Sequence, residues 1–160
     1  MSVTPDWIAL DWGTSNLRAW AMKDGRAVAN VQSSDGMGGL AHDGFEPALA
    51  ALVDVWDVPA QTPVIACGMV GSRQGWVEAP YNVVPCAPLA QSTVRAPSDR
   101  FNVQVIAGLR QSTPSDVMRG EETQIAGFLA LNPDWDGVIC LPGTHTKWVQ
   151  ISAGEVISFQ

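Results

Sequence analysis

Two hydroxyl-rich turns, one near each end of the chain, hold the residue types that grip phosphate. Asp11 is followed by Gly13, Thr14 and Ser15 in the first, and Gly143 by Thr144, Thr146 and Lys147 in the second. Glycine lets the backbone approach an anion closely, hydroxyls and main-chain N–H groups donate to phosphate oxygens, and a carboxylate at a strand end can hold Mg²⁺ directly or through water. A lone Asp-x-Gly-Thr-Ser is ordinarily an Asx or Ser/Thr turn. The second copy favours phosphate, with Asp11 managing the metal and the second loop supplying donors without an acid. His145 and Lys147 could add positive charge there, although alternation along a strand puts 145 and 147 on the same side, with an outward orientation open to both.

Arg119-Gly120-Glu121-Glu122 is the second group. At a helix start, acidic residues are favoured by the helix dipole and can cap free N–H groups, which is the ordinary role of such a pair. The functional alternative is a general base that takes a proton from an attacking hydroxyl, with Arg119 holding an anionic substrate group. The third group is Gly71, Ser72, Gly75 and Trp76, a loop with exposed donors beside a flat ring of the kind sugars stack on. A tryptophan in that position is equally a satellite of the core. His42 reads as a solvated loop side chain. Cys67 and Cys140 sit inside strand-like runs without a basic neighbour, so neither is expected to be a nucleophile.

The elements that must position these groups follow from periodicity. The segments 7–12, 17–22 and 26–33 read as strands, with Asp24-Gly25 closing a two-residue hairpin, so the domain opens with an antiparallel meander. Residues 35–39 are too glycine-rich for regular structure and are expected to form a loop. Glu46-Pro47 opens a helix with proline at its first position, and Leu49, Leu52, Val53 and Trp56 line one face. Residues 64–69 form a short apolar strand whose C-terminal end leads into the 70–76 loop, the place where open α/β sheets bind ligands. The proline-rich stretch 79–99 promises only irregular or short extended structure. A strand over 102–109 and a helix over 118–131, stopped by Asn132-Pro133, come next. Asp136-Gly137 turns into a second meander that copies the first, strand, hydroxyl turn, strand, glycine turn, strand. The class is α/β with a mixed sheet.

The 160 residues, 46% of them apolar, suffice for one ordinary domain. A net charge of −7 repels nucleic-acid backbones, and no Lys/Arg run offers a footprint for one. Three scattered cysteines without a Cys-x-x-Cys pair suit reduced thiols in the cytoplasm. Acidic Asp6 and Asp11 flank the N-terminal apolar run, so it does not read as a signal peptide, and no uncharged apolar stretch approaches the ~20 residues of a membrane span.

Together, residues 8–20, 69–72 with Gly75-Trp76, 118–124 and 142–149 closely resemble the 2-dehydro-3-deoxygalactonokinase family of the sugar-kinase and actin-like ATPase superfamily. Four motifs in the right order are far more specific than any one of them. The resemblance implies two ribonuclease-H-like domains with a cleft between them, here a sugar-side domain over 1–136 and the start of a nucleotide-binding domain over 137–160. It implies ATP and Mg²⁺ as cosubstrates and phosphorylation of the 6-hydroxyl of 2-dehydro-3-deoxy-D-galactonate, in galactonate degradation. Carried over by position, Asp11, Gly13 and Thr14 match the first phosphate loop, Gly143, Thr144 and Thr146 the second. Gly120-Glu121 matches the Gly-Asp that supplies the base in related sugar kinases. Glu121 is therefore the expected base, with Glu122 beside it as the other candidate, and Asp11 is the expected catalytic and metal-holding acid. Asn16, Arg18, Gly71, Ser72, Trp76, Arg119 and Glu122 are the expected substrate contacts, with Arg18 or Arg119 as the anion clamp.

Family members continue for about as long again, so the chain is expected to stop inside its second domain and to be weak or inactive alone. The expected partners are a sugar acid and ATP, with self-association left open. A kinase for another sugar or sugar acid, and a non-catalytic sugar- or nucleotide-binding regulator on the same fold, are the alternatives.

Overall fold

Alternating burial along β1 (Trp7–Trp12) starts the fold: Ile8, Leu10 and Trp12 point into one core face while the residues between them stay half-buried. A computed structural model describes residues 2–89 and 92–160 of the chain. β2 (Leu17–Lys23) runs antiparallel to β1 with Asp11 opposite Arg18, and β3 (Arg26–Ser33) continues the meander. The hairpin between them has positive φ at Asp24 (50°) and Gly25 (73°), as a two-residue turn matched to strand twist requires. Residues 35–39 depart from the expected loop, because Met37–Gly39 winds into one 3₁₀ turn that buries Met37.

Helix α1 (Phe45–Val53) buries Phe45, Leu49 and Val53. Its proline is the third helical residue rather than the first, still within the turn whose N–H groups have no intrahelical acceptor. Trp56 lies beyond the helix end and donates its backbone N–H to Val53. β4 (Pro63–Cys67) then enters parallel to β1. Residues 69–71, counted with that strand in part, form a separate 3₁₀ turn. Within 79–99 two short strands are present, β5 (Tyr81–Val83) and β6 (Thr93–Arg95), while Ala90 and Gln91 lie outside the described residues.

The apolar run at 102–109 is not one strand. It divides into β7 (Asn102–Ile106), parallel to β4, and β8 (Gly108–Ser112), which belongs to a different sheet. Gly108 makes the switch possible, since a Cβ there would lie 2.6 Å from the Met118 carbonyl oxygen and 2.8 Å from the Tyr81 ring. β9 (Ser115–Met118) pairs with β8 and takes up Met118, so helix α2 (Glu121–Leu131) starts three residues later than the apolar pattern suggests. Asn132 caps it. The second meander is β10 (Gly137–Leu141), β11 (Lys147–Ser152) and β12 (Glu155–Phe159). Its glycine turn repeats the first, with φ of 51° at Ala153 and 76° at Gly154.

By contacts the chain forms two compact units, residues Met1–Ala79 with Thr93–Ile106, and Pro80–Ser92 with Ala107–Gln160. The first contains a six-stranded mixed sheet, β3-β2-β1-β4-β7-β6, over a core that includes Trp12, Phe45, Leu49, Trp76 and Phe101. The second contains the β5-β8-β9 and β10-β11-β12 sheets and α2, with Leu109, Met118, Ile125, Val149, Ile151 and Phe159 in one cluster.

Candidate active site

Asp11 stands next to last in β1, where the parallel neighbour β4 also ends, with Asp11 level with Cys67. Just beyond, Gly68 has φ 98°, and a Cβ on it would come within 2.8 Å of the Trp12 carbonyl oxygen and 3.5 Å of Asp11 Oδ1. Only glycine lets the β4 terminus lie this close to the acid. The carboxylate is partly open to solvent and meets Arg18 Nη1 at 3.2 Å across the β1–β2 ladder. Among the described residues no three acidic, histidine or cysteine side chains gather as a metal cage. Asp11 thus offers one carboxylate, which fits Mg²⁺ held mainly by phosphate oxygens and water.

The first turn is closed by the Gly13 N–H donating to the Asn16 carbonyl at 2.9 Å, leaving Thr14, Ser15 and Asn16 exposed. It is braced from behind. Met37 and Gly38 donate their backbone N–H groups to the carbonyls of Gly13 and Thr14, and Trp12 Nε1 donates to the Asp35 carbonyl. A Cβ on Gly36 would sit 2.2 Å from the Thr14 oxygen and one on Gly38 3.1 Å from it, so these two glycines let the segment lie flat against this turn.

The 70–76 loop is similarly tight: Trp76 donates its backbone N–H to Val70 and Ala79 to Gly71, and Gly75 has room for no side chain, its Cβ position being 2.0 Å from the Val70 oxygen. Gly71 is buried, and the Ser72 hydroxyl is buried without a partner among the described residues. Trp76 corrects the sequence expectation. It is 3% exposed, stacked on Phe45 at 5.8 Å and 11° and edge-on to Trp12, so its face is occupied by the core and cannot take a sugar. Its edge, with His42, Glu46 and Arg95, lines an open cleft of about 610 Å³. Glu46 there is held below the usual carboxylate range by the Ser98 hydroxyl and then by the Arg100 and Asp99 N–H groups, burial working against them. Trp76→Ala should cost about 3–5 kcal/mol of unfolding free energy, and Trp76→Phe much less, in denaturant titration. Equal, small losses in both would mean that the aromatic trio does not hold this loop.

In the second unit Arg119, Glu121 and Glu122 gather around Gly120, whose φ of 110° turns the chain into α2. The Arg119 guanidinium lies 4.2 Å over the Tyr81 ring. Both acids fold back onto the helix start, Glu121 Oε2 accepting the Arg119 N–H at 2.9 Å and Glu122 Oε2 the Gly120 N–H at 2.7 Å. The ordinary capping role is therefore real, and it differs between them. Glu121 keeps a partly exposed carboxylate, whereas Glu122 is fully buried and its Oε1 has no partner among the described residues. Burial pushes the Glu122 carboxyl up to about 7, against the lowering effect of its own and the Gly120 N–H, with the Glu121 charge raising it further and Arg119 opposing.

Between about pH 4.5 and 7 the folded chain thus holds a proton that the unfolded chain has released, and stability falls as pH rises through that window. Glu122→Gln, neutral throughout, should flatten the decline of Tm over this range and raise Tm most near pH 7. An undiminished decline in the variant would place the effect elsewhere.

Residues 142–146 of the second turn are all exposed, and the Thr146 hydroxyl donates to the Gly143 carbonyl at a long 3.5 Å. Lys147 is a second correction. Rather than pointing outward or into the loop, it is the first inward residue of β11, and Nζ sits 2.7 Å from both carboxylate oxygens of Asp116. Trp148, next along the strand, takes the outward face at 53% exposure. Asp116, Gly68 and Tyr81 went unnoticed in the sequence, and Gly36 was noted only as part of a loop. Gly68 had a signal, a glycine directly after an apolar run, whereas Asp116 lies 31 positions from its partner and had none.

The family model described as 2-keto-3-deoxy-galactonokinase matches residues 11–160. A curated protein of Rhizobium meliloti (strain 1021), provisionally named 2-dehydro-3-deoxygalactonokinase, is 39% identical over 165 residues, covering 99% of this chain and 54% of its own length. The 2-dehydro-3-deoxygalactonokinase of Escherichia coli (strain K12) is 39% identical over 163 residues, with 99% and 53% covered. A crystal structure from Sinorhizobium meliloti, provisionally titled as a protein of the same name, superposes with a TM-score of 0.84 at 38% identity, over 96% of this chain and 52% of that one. The chain spans about half the length of the curated relatives it matches.

Proposed function

The chain belongs to the 2-keto-3-deoxy-galactonokinase family, and on that premise we propose that it supplies the sugar side and both phosphate loops of an ATP-dependent kinase for 2-dehydro-3-deoxy-D-galactonate. The observation that carries the reading is Asp11 at the paired ends of two parallel strands, beside a hydroxyl turn that a second loop holds rigid. Such a site suits phosphoryl transfer, which asks mainly for positioning and charge neutralisation. Gly13, Thr14 and Ser15 would supply one set of donors to phosphate oxygens, and Gly143, Thr144 and Thr146 a second. Mg²⁺ beside Asp11, when bound, neutralises the charge of the transferring group.

Arg18 and Arg119 are the candidate clamps for the sugar-acid carboxylate, with Asn16, Gly71 and Ser72 as further contacts. Glu121, the acid with an open side, would accept the proton of the 6-hydroxyl as its oxygen bonds to the γ-phosphorus and the bond to the ADP oxygen breaks. Glu122 would keep the Gly120 turn in shape from beneath. The division after Asp136 into a sugar-side and a nucleotide-side domain belongs to the same proposal, and it differs from the compact units, which place residues 107–136 together with 137–160. A cytoplasmic location belongs to that proposal too and rests on three scattered cysteines without a Cys-x-x-Cys pair; among the described residues no helix is long and apolar enough to cross a membrane.

Substrate choice is tested by kcat/KM over a panel of 2-dehydro-3-deoxy sugar acids and neutral sugars. The assay uses this chain and a polypeptide that continues through the following stretch of the reading frame. Preference for the galacto acid, with its 6-phosphate as product, is expected. Preference for a neutral sugar would discard the anion clamps, and phosphorylation of none would discard the kinase.

A further inference from the structure

Lys147 has the charge expected to serve a phosphate, yet its ammonium is already engaged. Nζ is 2.7 Å from Asp116 Oδ1 and 2.7 Å from Oδ2, the residue is 7% exposed, and the charge lies 5.7 Å from the centroid of the Phe159 ring. Asp116 is itself held in place, its Oδ1 accepting the Val117 N–H at 2.8 Å. The hairpin that bears it is joined to β12 through Gln111, whose amide donates to the Phe159 carbonyl and accepts the Phe159 N–H. An ammonium this enclosed gives up this carboxylate at considerable cost, because an unpaired buried charge is left behind.

The turn next to it is held by little else. Residues 142–146 are exposed, and a Cβ on Gly143 would meet nothing closer than the His145 carbonyl at 3.9 Å. The direction of the turn is therefore set at its root, where Leu141 and Lys147 face each other across the β10–β11 ladder. We propose that Asp116 and Lys147 are positioning residues for the second phosphate loop: their ion pair fixes the first residue of β11 and thereby aims the donors of Gly143, Thr144 and Thr146, and Lys147 does not contact phosphate itself. The proposal rests on the kinase reading of that loop.

The two roles for Lys147 predict opposite behaviour of its partner. If the pair positions the loop, Asp116→Asn and Lys147→Met each weaken Mg·ATP binding, on the order of tenfold or more for a displaced donor set. The double variant is then no worse than either single one, because both remove the same interaction. If Lys147 instead grips phosphate, Lys147→Met loses affinity while Asp116→Asn, which frees the ammonium, keeps or gains it; that result overturns the proposal. A second readout needs no nucleotide. In the free protein Asp116→Asn should speed exchange of the Trp148 amide, which donates to the Gln160 carbonyl, by at least about tenfold relative to amides of β2. Unchanged exchange also overturns the proposal, and this readout decides should Lys147→Met fail to fold. A wild-type polypeptide that binds no Mg·ATP would instead bring down the kinase reading of the loop, leaving exchange to report on the pair.

Discussion

On the proposed kinase reading, Asp11→Ala is expected to lower kcat for ATP-dependent phosphorylation by about a thousandfold, the scale seen when one preorganised electrostatic group is removed from a transition state. The carboxylate sits where β1 and β4 end together, its neighbour Gly68 shaved to a backbone, and among the described residues it belongs to no cluster of three acidic, histidine or cysteine side chains. Arg18 would be left without its partner at 3.2 Å and free to draw on the same phosphates, so ATP affinity should fall less than kcat. Glu121→Gln should cost only about a hundredfold, at the low end for a general base, because the hydroxyl proton leaves late in a loose phosphoryl-transfer transition state. The comparison is read from kcat of the two variants in a catalytically active polypeptide. A larger loss from Glu121→Gln would make proton removal, rather than charge neutralisation, the dominant demand.

Gly36→Ala should be the most damaging of the small substitutions. Its added carbon would lie 2.2 Å from the Thr14 oxygen and 2.3 Å from the Ser15 carbonyl carbon, both backbone atoms of the first phosphate turn. Neither can rotate away, so either the 35–39 segment lifts and loses the Met37 and Gly38 hydrogen bonds, or the turn itself deforms. A loss of about 3 kcal/mol in stability, as for a tightly overpacked site, and a weakened hold on Mg·ATP are expected together. Gly39→Ala is the control, since nothing lies within 4 Å of its Cβ position. Denaturant unfolding and nucleotide titration check both. Matching behaviour of the two variants would mean that the brace behind Thr14 does not shape the turn.

Much of this was legible in the residues because it is local. The two meanders follow from period-two alternation and from glycine turns whose positive φ values, at Asp24-Gly25 and Ala153-Gly154, a sequence can announce. The helix at 121–131 was visible from its acidic start and its Asn132 stop, though not its first residue, because Met118 is as apolar in β9 as in a helical face. What stayed hidden depends on atoms distant in sequence. The apolar run at 102–109 gave no hint that Gly108 must pass under Tyr81 and leave the sheet. Trp76 reads the same whether it faces a ligand or, as here, Phe45. Lys147 beside a glycine-threonine turn reads as a phosphate group's partner, and its pairing with Asp116 on another hairpin was out of sight. The glycines at 36 and 38 read only as a loop signal, whereas their cause is close backbone approach to Thr14.

The most direct measurement is transfer of label from γ-labelled ATP to 2-dehydro-3-deoxy-D-galactonate, by this chain and by the polypeptide continued through the next stretch of the reading frame. The position of the phosphate on the product is then determined. Mg²⁺-dependent appearance of the label on the 6-oxygen in the continued polypeptide, lost on Asp11→Ala, is the result expected. No transfer to that acid, or to any acid of the panel, in a folded continued polypeptide would contradict the assignment of these loops to a kinase.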